Sequence, residues 1–360
     1  MDSIMSPTKP VLPPEVILII IEDLIPSEAV ILPPIDPVTR TLHSLTLASR
    51  ITYCFANPLL LKHCFHISST AQVERLLKCS VPSTPQGTTD INHPESRSQI
   101  SSLYLDPTID PSHTAYSAAT QIATLFSTHC GNLRRLVLDT TWTSFYNCED
   151  SAQTLTEAFR SLPAIEEFVS IQETRSLRRR GKEHIPRELW AHWPRLRRLA
   201  LYGAFLGQIF IAAIQECPRL THLVLGSPMG SLYPLPDNVA QGISWEKLGL
   251  QSVTVVSPGQ PGFWSASRAT SEVARLGWKR NPLGRLAATF DEDYPVALAN
   301  ANADANVHER EQRRHFGHVA LRWVPVFEGV NVDPTIAWMR ERALDGTLWE
   351  RHGELYRPKL

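Results

Sequence analysis

Leu196-Arg197-Arg198-Leu199-Ala200-Leu201 is the clearest copy of a short pattern that recurs along this chain. The spacing L-x-x-L-x-L recurs, with small departures, at 100–105, 133–138, 165–170, 220–225 and 250–255. Aliphatic side chains that alternate over so few positions are typical of a short strand with one buried face. Successive copies therefore predict a series of short strands, whose starts lie 24 to 33 residues apart.

Helix-like segments fill the gaps between these copies. We predict helices over 115–129, 151–162, 185–193 and 207–217, each ending close to a Gly or Pro that precedes the next copy. A short strand at 64–67 and a helix at 71–78 come before the first copy. Because a parallel pair of strands needs a long crossover, the alternation predicts an α/β fold of parallel strands joined by helices.

This strand and helix spacing resembles an irregular leucine-rich-repeat solenoid, which would cover roughly residues 100–256. An open α/β layer with the same connectivity is the alternative. Further along the chain, 318–327 alternates like another strand and 335–344 resembles a terminal helix. That helix could cap the open end of the solenoid, as repeat proteins require.

Upstream of the repeats, Leu12-Pro13-Pro14-Glu15 opens a helix that is apolar most of the way round, from Val16 to Leu24. Such a helix must be buried on more than one side or must meet a partner. A second, amphipathic helix is predicted from Thr41 to Phe55, with Leu47, Ile51 and Phe55 at four-residue steps, and Asn57-Pro58-Leu59-Leu60 follows. This order of elements resembles the F-box.

In the F-box family the Leu-Pro start and the first helix pack into a groove on a small adaptor subunit. The adaptor is attached to the cullin of an SCF-type ubiquitin ligase. The resemblance implies adaptor contacts by Leu12, Pro13, Glu15, Val16, Ile19 and Ile20. The alternative is a helical hairpin that is buried within the same domain.

The repeats also predict a recognition face. Strand alternation turns the third, fifth and seventh positions of each copy away from the buried leucines. An apolar centre with a polar rim suits a protein ligand. The candidate target-binding residues are Tyr104, Arg135, Val137, Glu167, Val169, Arg198, Tyr202, His222 and Val224. The alternatives are that β-branched residues simply favour strands, or that loops cover this face.

Composition limits the classes of partner. The net charge of −1 gives no electrostatic case for nucleic acid. The apolar run 16–21 is far shorter than the roughly 20 residues that cross a bilayer, so we expect no membrane partner. None of the six cysteines form a CxxC pair, which favours reduced thiols. We therefore expect an intracellular protein, cytoplasmic or nuclear.

Signatures of catalysis are missing from the sequence. It contains no phosphate-binding G-x-x-x-x-G-K-[ST], no G-x-G-x-x-G and no G-x-S-x-G. We expect no cofactor and no metal, and interpret His308, His315 and His318, and the acidic run 291–293, as surface residues. The basic run 175–182 is interpreted as a solvated loop, with a nuclear localisation signal or a patch for an acidic partner as alternatives.

These observations predict an F-box-like domain at 10–66, a leucine-rich-repeat-like domain at 67–262 and a C-terminal extension at 263–360. The function implied by the resemblance is substrate recognition in an SCF-type cullin ubiquitin ligase, with an unknown protein as the target and no chemistry of its own. A protein-interaction scaffold outside a ligase, with an F-box-like hairpin, is the alternative. An enzyme on the α/β sheet would instead require convergent acids, bases or a nucleophile at the strand ends.

Overall fold

The computed structural model describes residues 12–27, 30–80, 100–109, 114–140, 145, 148–172, 188–228, 248–258, 320–326, 333–350 and 354–355. Its N-terminal part consists of three helices, α1 (Pro14–Glu22), α2 (Pro37–Ala48) and α3 (Arg50–His63). Pro14 suits the first turn of α1, where its missing N–H has no partner to lose. The three helices pack around a small apolar cluster of Ile21, Leu42, Ala56 and Leu60.

The prediction of one helix from Thr41 to Phe55 is wrong, because the chain breaks at Ser49 between α2 and α3. Ser49 is extended, with φ −161° and ψ 165°, and caps the start of α3. Its hydroxyl accepts from the amide of Thr52 at 3.1 Å, and its own amide donates to the Thr52 hydroxyl at 3.1 Å. This reciprocal pair satisfies the backbone amides of Ser49 and Thr52, which the break in the helix leaves without helical partners.

The remaining strands form one sheet whose order follows the chain. The strands are β1 (His66–Ser69), β2 (Ser102–Thr108), β3 (Arg135–Leu138), β4 (Glu167–Ser170), β5 (Arg198–Tyr202), β6 (His222–Gly226), β7 (Ser252–Pro258), β8 (Ala320–Val326) and β9 (Glu354–Leu355). Strands β1 to β8 pair in parallel, and β9 pairs antiparallel with β8. The predicted α/β fold with parallel strands is confirmed, and all six repeat copies supply a strand.

Helices lie between most of these strands, as the sequence predicted. They are α4 (Thr70–Ser80), α5 (Ala115–His129), α6 (Glu149–Arg160) and α7 (Gln208–Gln215). The helix predicted over 185–193 differs, since the described part of it is a single 3₁₀ turn, Leu189–His192. Trp193 follows that turn, is buried, and donates its indole N–H to the carbonyl of Phe159 at 2.9 Å.

The main core lies between the sheet and these helices. The fourth positions of the repeats are paired across neighbouring strands, in the series Leu103, Leu136, Phe168, Leu199, Leu223 and Val253. All of them are buried in one cluster with residues of α5, α6 and α7. The leucine spacing therefore predicted the register of the sheet as well as the strands.

A C-terminal helix, α8 (Pro334–Asp345), covers the other face of the sheet. The sequence predicted this helix, but the structure places it across the sheet face and not at an open end of the sheet. Gly226 on β6 permits the close approach, because a Cβ there would lie 2.3 Å from the sulfur of Met339. Among the described helices, none is both long enough and apolar enough to cross a membrane.

Candidate interaction surfaces

Helix α1 presents an apolar face to solvent. Ile21 faces inward onto the small N-terminal cluster and is 1% exposed. Leu12, Val16, Ile19 and Ile20, in contrast, are 55%, 38%, 57% and 51% exposed. Contiguous exposed aliphatic side chains of this size commonly mark a site of protein interaction.

All six residues predicted to contact the adaptor are exposed. Pro13 and Glu15 lie in the same exposed segment as the four aliphatic side chains. Their common location on α1 and the residues before it is what an adaptor contact requires, and the contact itself stays a prediction.

Helices α2 and α3 expose further apolar side chains that the sequence reasoning did not assign to a surface. Leu47 is 87% exposed, Ile51 47% and Tyr53 43%. The four-residue steps of Leu47 and Ile51 indicated the buried stripe of one helix, but the break at Ser49 places them on two separate helices. The Ser-x-x-Thr cap at 49–52 was the signal that could have shown this.

The predicted recognition face of the sheet is covered. Tyr104, Val137, Val169 and Val224 are at most 4% exposed and pack in a second core with α8 and the 3₁₀ turn Thr347–Trp349. The expectation that these four side chains form an exposed face is therefore wrong. Helix α8, far along the chain, supplies most of the cover, whereas the alternative left open by the sequence was cover by loops.

The polar rim of this face forms a ladder of ion pairs. Glu167 accepts from Arg135 Nε at 2.8 Å and from Arg198 Nη1 at 2.6 Å, and the indole N–H of Trp349 donates to it at 3.1 Å. Burial alone would raise the pKa of Glu167, but the two guanidinium groups hold it below its usual value. The side chains of Arg135 and Glu167 are only 12% and 14% exposed. Both side chains are therefore largely shielded by this ladder, and their role in target binding stays a prediction.

Three of the predicted target-binding residues keep partial access to solvent. These are Arg198, Tyr202 and His222. Arg198 lies 6.0 Å from the ring centre of Trp349, and the Tyr202 hydroxyl donates to Asp333 at 2.6 Å. Arg198 and Tyr202 are thus each held in place by a neighbour, and the role of all three residues in target binding stays a prediction.

Asp139 is the centre of a buried polar network beneath α8. Its carboxylate is 1% exposed and accepts hydrogen bonds from the guanidinium of Arg340, the hydroxyl of Tyr104 and the side-chain amide of Gln172. Burial and the nearby charge of Asp139 raise the pKa of Asp106 to about 6. The sequence did not single out Asp139 or Arg340. Their donors and acceptors are matched within the chain, so the network fastens α8 to the sheet.

The described residues contain no group of three or more His, Cys, Asp or Glu side chains that could hold a metal ion. His308, His315, His318, the acidic run 291–293 and the basic run 175–182 lie outside the described residues. Comparison of the chain with protein-family models and with curated proteins finds no match.

Proposed function

We propose that this protein is the substrate-recognition subunit of an SCF-type cullin ubiquitin ligase. In this proposal α1 and the residues before it bind the adaptor, and the sheet domain holds a protein target. The protein carries out no chemistry itself. It holds the target close to a charged ubiquitin-conjugating enzyme, so its contribution to the rate is proximity. An intracellular location, cytoplasmic or nuclear, goes with this function.

The observation that carries the proposal is the exposed apolar face of α1. A folded chain with a large internal core has little reason to leave Leu12, Ile19 and Ile20 more than half exposed unless another molecule covers them. A helix that lays its aliphatic side chains into a groove is a recurring mode of recognition. The resemblance to the F-box implies that this groove lies on the adaptor subunit.

The exposed face of α1 would supply part of the free energy that a specific complex needs. Covering the remaining exposed area of Leu12, Val16, Ile19 and Ile20 would contribute about 1 kcal/mol for each side chain, or about 4 kcal/mol in all, before the cost of association. Leu47, Ile51 and Tyr53 on the neighbouring helices would add to this if the adaptor reaches them. One charged substitution in such a face removes apolar contact and also places a charge against the partner.

Co-purification with the adaptor tests the proposal. The full chain is compared with Ile19→Asp plus Ile20→Asp, and with Ile35→Asp as a matched control. Ile35 is 74% exposed in the segment between α1 and α2, so its substitution changes an exposed isoleucine away from α1. We expect adaptor binding to be lost in the α1 variant and kept in the control, with unchanged thermal unfolding in both.

Failure of the unaltered chain to bind the adaptor would refute the ligase function. The chain would then be a protein-interaction scaffold that carries an F-box-like hairpin. Binding that survives the α1 substitutions would refute the assignment of α1 as the adaptor contact.

A further inference from the structure

Two arginines occupy equivalent positions at the edge where the parallel strands begin. Arg195 and Arg219 each follow a proline in the turns 193–196 and 217–220, which lead into β5 and β6. In both turns the amide of the last residue donates to the carbonyl of the first at 3.1 Å. Because neighbouring strands lie about 4.8 Å apart, the two arginines start from adjacent points on one edge.

Arg197 belongs to the same edge and has a rigidly held backbone. Its amide donates to the carbonyl of Glu166 at 2.8 Å, and its own carbonyl accepts from the amides of Thr221 and His222 at 2.8 and 3.1 Å. These bonds tie it to the neighbouring strands on both sides. Its side chain is exposed, as are those of Arg195 and Arg219.

Within the described residues, two acids near this edge lie against other arginines. Glu166 Oε1 lies 3.9 Å from Arg134 Nε. Glu167 forms ion pairs with Arg135 and Arg198. No acidic side chain of the described residues forms an ion pair with Arg195, Arg197 or Arg219. The whole chain carries a net charge of −1, so this edge departs from the average of the molecule.

The positive field extends to a neighbouring titratable group. Burial lowers the pKa of His222, and the charges of Arg198 and Arg197 lower it further, whereas the charge of Glu167 raises it. The charges of these two arginines therefore affect the pKa of the His222 ring on the neighbouring strand. An anion bound here would meet guanidinium groups whose backbone positions are held by the turns and the neighbouring strands.

We propose that Arg195, Arg197 and Arg219 form a binding site for a carboxylate-rich segment of the target protein. The proposal rests on the receptor function proposed above and supplies the chemistry of its target. Guanidinium groups pair with carboxylates through two parallel N–H···O bonds, which gives direction as well as charge. This site lies outside the covered apolar face, so a target reaches it with α8 in place.

A protein segment fits this edge better than single-stranded RNA. Sites for unpaired nucleotides combine basic residues with exposed aromatic side chains on which bases stack. The largely exposed aromatic residues of the described chain are Tyr53 and Tyr116. Tyr53 belongs to α3, and Tyr116 lies in the first turn of α5, at the opposite end of the strand and helix units.

Fluorescence anisotropy of the full chain with a labelled peptide of alternating Glu and Ser tests the site. The same peptide with Gln in place of Glu is the ligand control. The site variant is Arg195→Gln, Arg197→Gln and Arg219→Gln together. The matched control removes the exposed Arg40, Arg50 and Arg75, which changes the net charge equally.

We expect the Glu peptide to bind with an affinity that decreases as salt is added. The affinity should fall about tenfold in the site variant and less than about twofold in the control. Equal binding of the Gln peptide, or equal losses in the two variants, would overturn the proposal. Arginine-dependent binding of oligouridylate in preference to the Glu peptide would do the same.

Adaptor co-purification of the same proteins separates this proposal from the function on which it rests. The site variant should retain the adaptor, because its three arginines are remote in sequence and in fold from α1. A chain that binds the Glu peptide through these arginines but never binds the adaptor would keep the acidic-segment site and refute the ligase function.

Discussion

Replacing Arg340 with Met tests whether a buried ion pair fastens the C-terminal helix to the sheet. Arg340 donates through Nε and, at 2.8 Å, through Nη2 to the carboxylate of Asp139. Its pKa is raised, first by the hydrogen bonds to Asp139 and then by the charge of that carboxylate. Met preserves most of the aliphatic stem and removes the charge, so the substitution isolates the ionic part of the contact.

The geometry sets the expected magnitude. Removing one partner of a fully buried pair costs about 3–5 kcal/mol. Asp139 is 1% exposed, but the Arg340 side chain is 37% exposed, and Tyr104 and Gln172 continue to donate to the carboxylate. We therefore expect Arg340→Met to lower the free energy of unfolding by about 2–3 kcal/mol. Asp139→Asn should cost less, about 1–2 kcal/mol, because the freed guanidinium can turn to water.

Urea unfolding followed by circular dichroism measures these differences, with the double variant completing a cycle. A coupling free energy of about 1–2 kcal/mol is expected between the two sites. Arg342→Met is the control, since Arg342 pairs with Asp345 of the same helix at 3.3 Å and should cost less than about 1 kcal/mol. An Arg340→Met chain within about 0.5 kcal/mol of the unaltered protein, or additive effects in the double variant, would refute the reasoning.

Three further predictions follow from single contacts. Gly226→Ala places a methyl group against the sulfur of Met339 and should lower the free energy of unfolding by about 1–3 kcal/mol, measured by urea unfolding, with partial recovery when Met339→Ala is added. Ser49→Ala removes the cap of α3 and should cost about 1 kcal/mol in thermal unfolding, whereas Ser49→Asp should cost less. The raised pKa of Asp106, about 6, means that its protonated form favours the folded state, so this contribution is complete below pH 4 and lost as the pH rises through 6. Asp106→Asn should therefore stabilise the chain by about 1 kcal/mol at pH 8, after discounting for solvent screening, and have little effect at pH 4. An unchanged pH profile of unfolding in this variant would contradict the assignment.

The alternation of strands and helices could be predicted because each repeat carries its own signal. Leu136 and Leu199 sit at the same position of their copies, and the structure pairs that position across neighbouring strands through Phe168. Each copy buries its aliphatic residues on one face of the sheet. Neighbouring copies must therefore pair with equivalent positions opposite each other. The bounds of α5, Ala115–His129, likewise followed from the local sequence.

The predictions from the sequence were wrong where one local pattern was compatible with two different structures. The four-residue steps of Leu47 and Ile51 fit one helix, but the Ser49 cap ends the helical hydrogen bonds and turns both side chains toward solvent. The exposed face of α1 was easier to foresee. A short helix that is apolar nearly all round cannot bury every side against two small neighbouring helices.

Which side chains of the sheet share a face could be predicted from the sequence, since that depends only on the period of two along a strand. It could not determine what covers each face. Val137, Val169 and Val224 alternate with the leucines as predicted, yet they are buried because Met339 and Ala343, far along the chain, pack onto them. Whether a strand face is buried depends on which other segments pack against it, and strand alternation carries no information about that packing. Because α8 covers the apolar centre of the sheet, the basic edge is the part of the sheet that remains as a candidate recognition site.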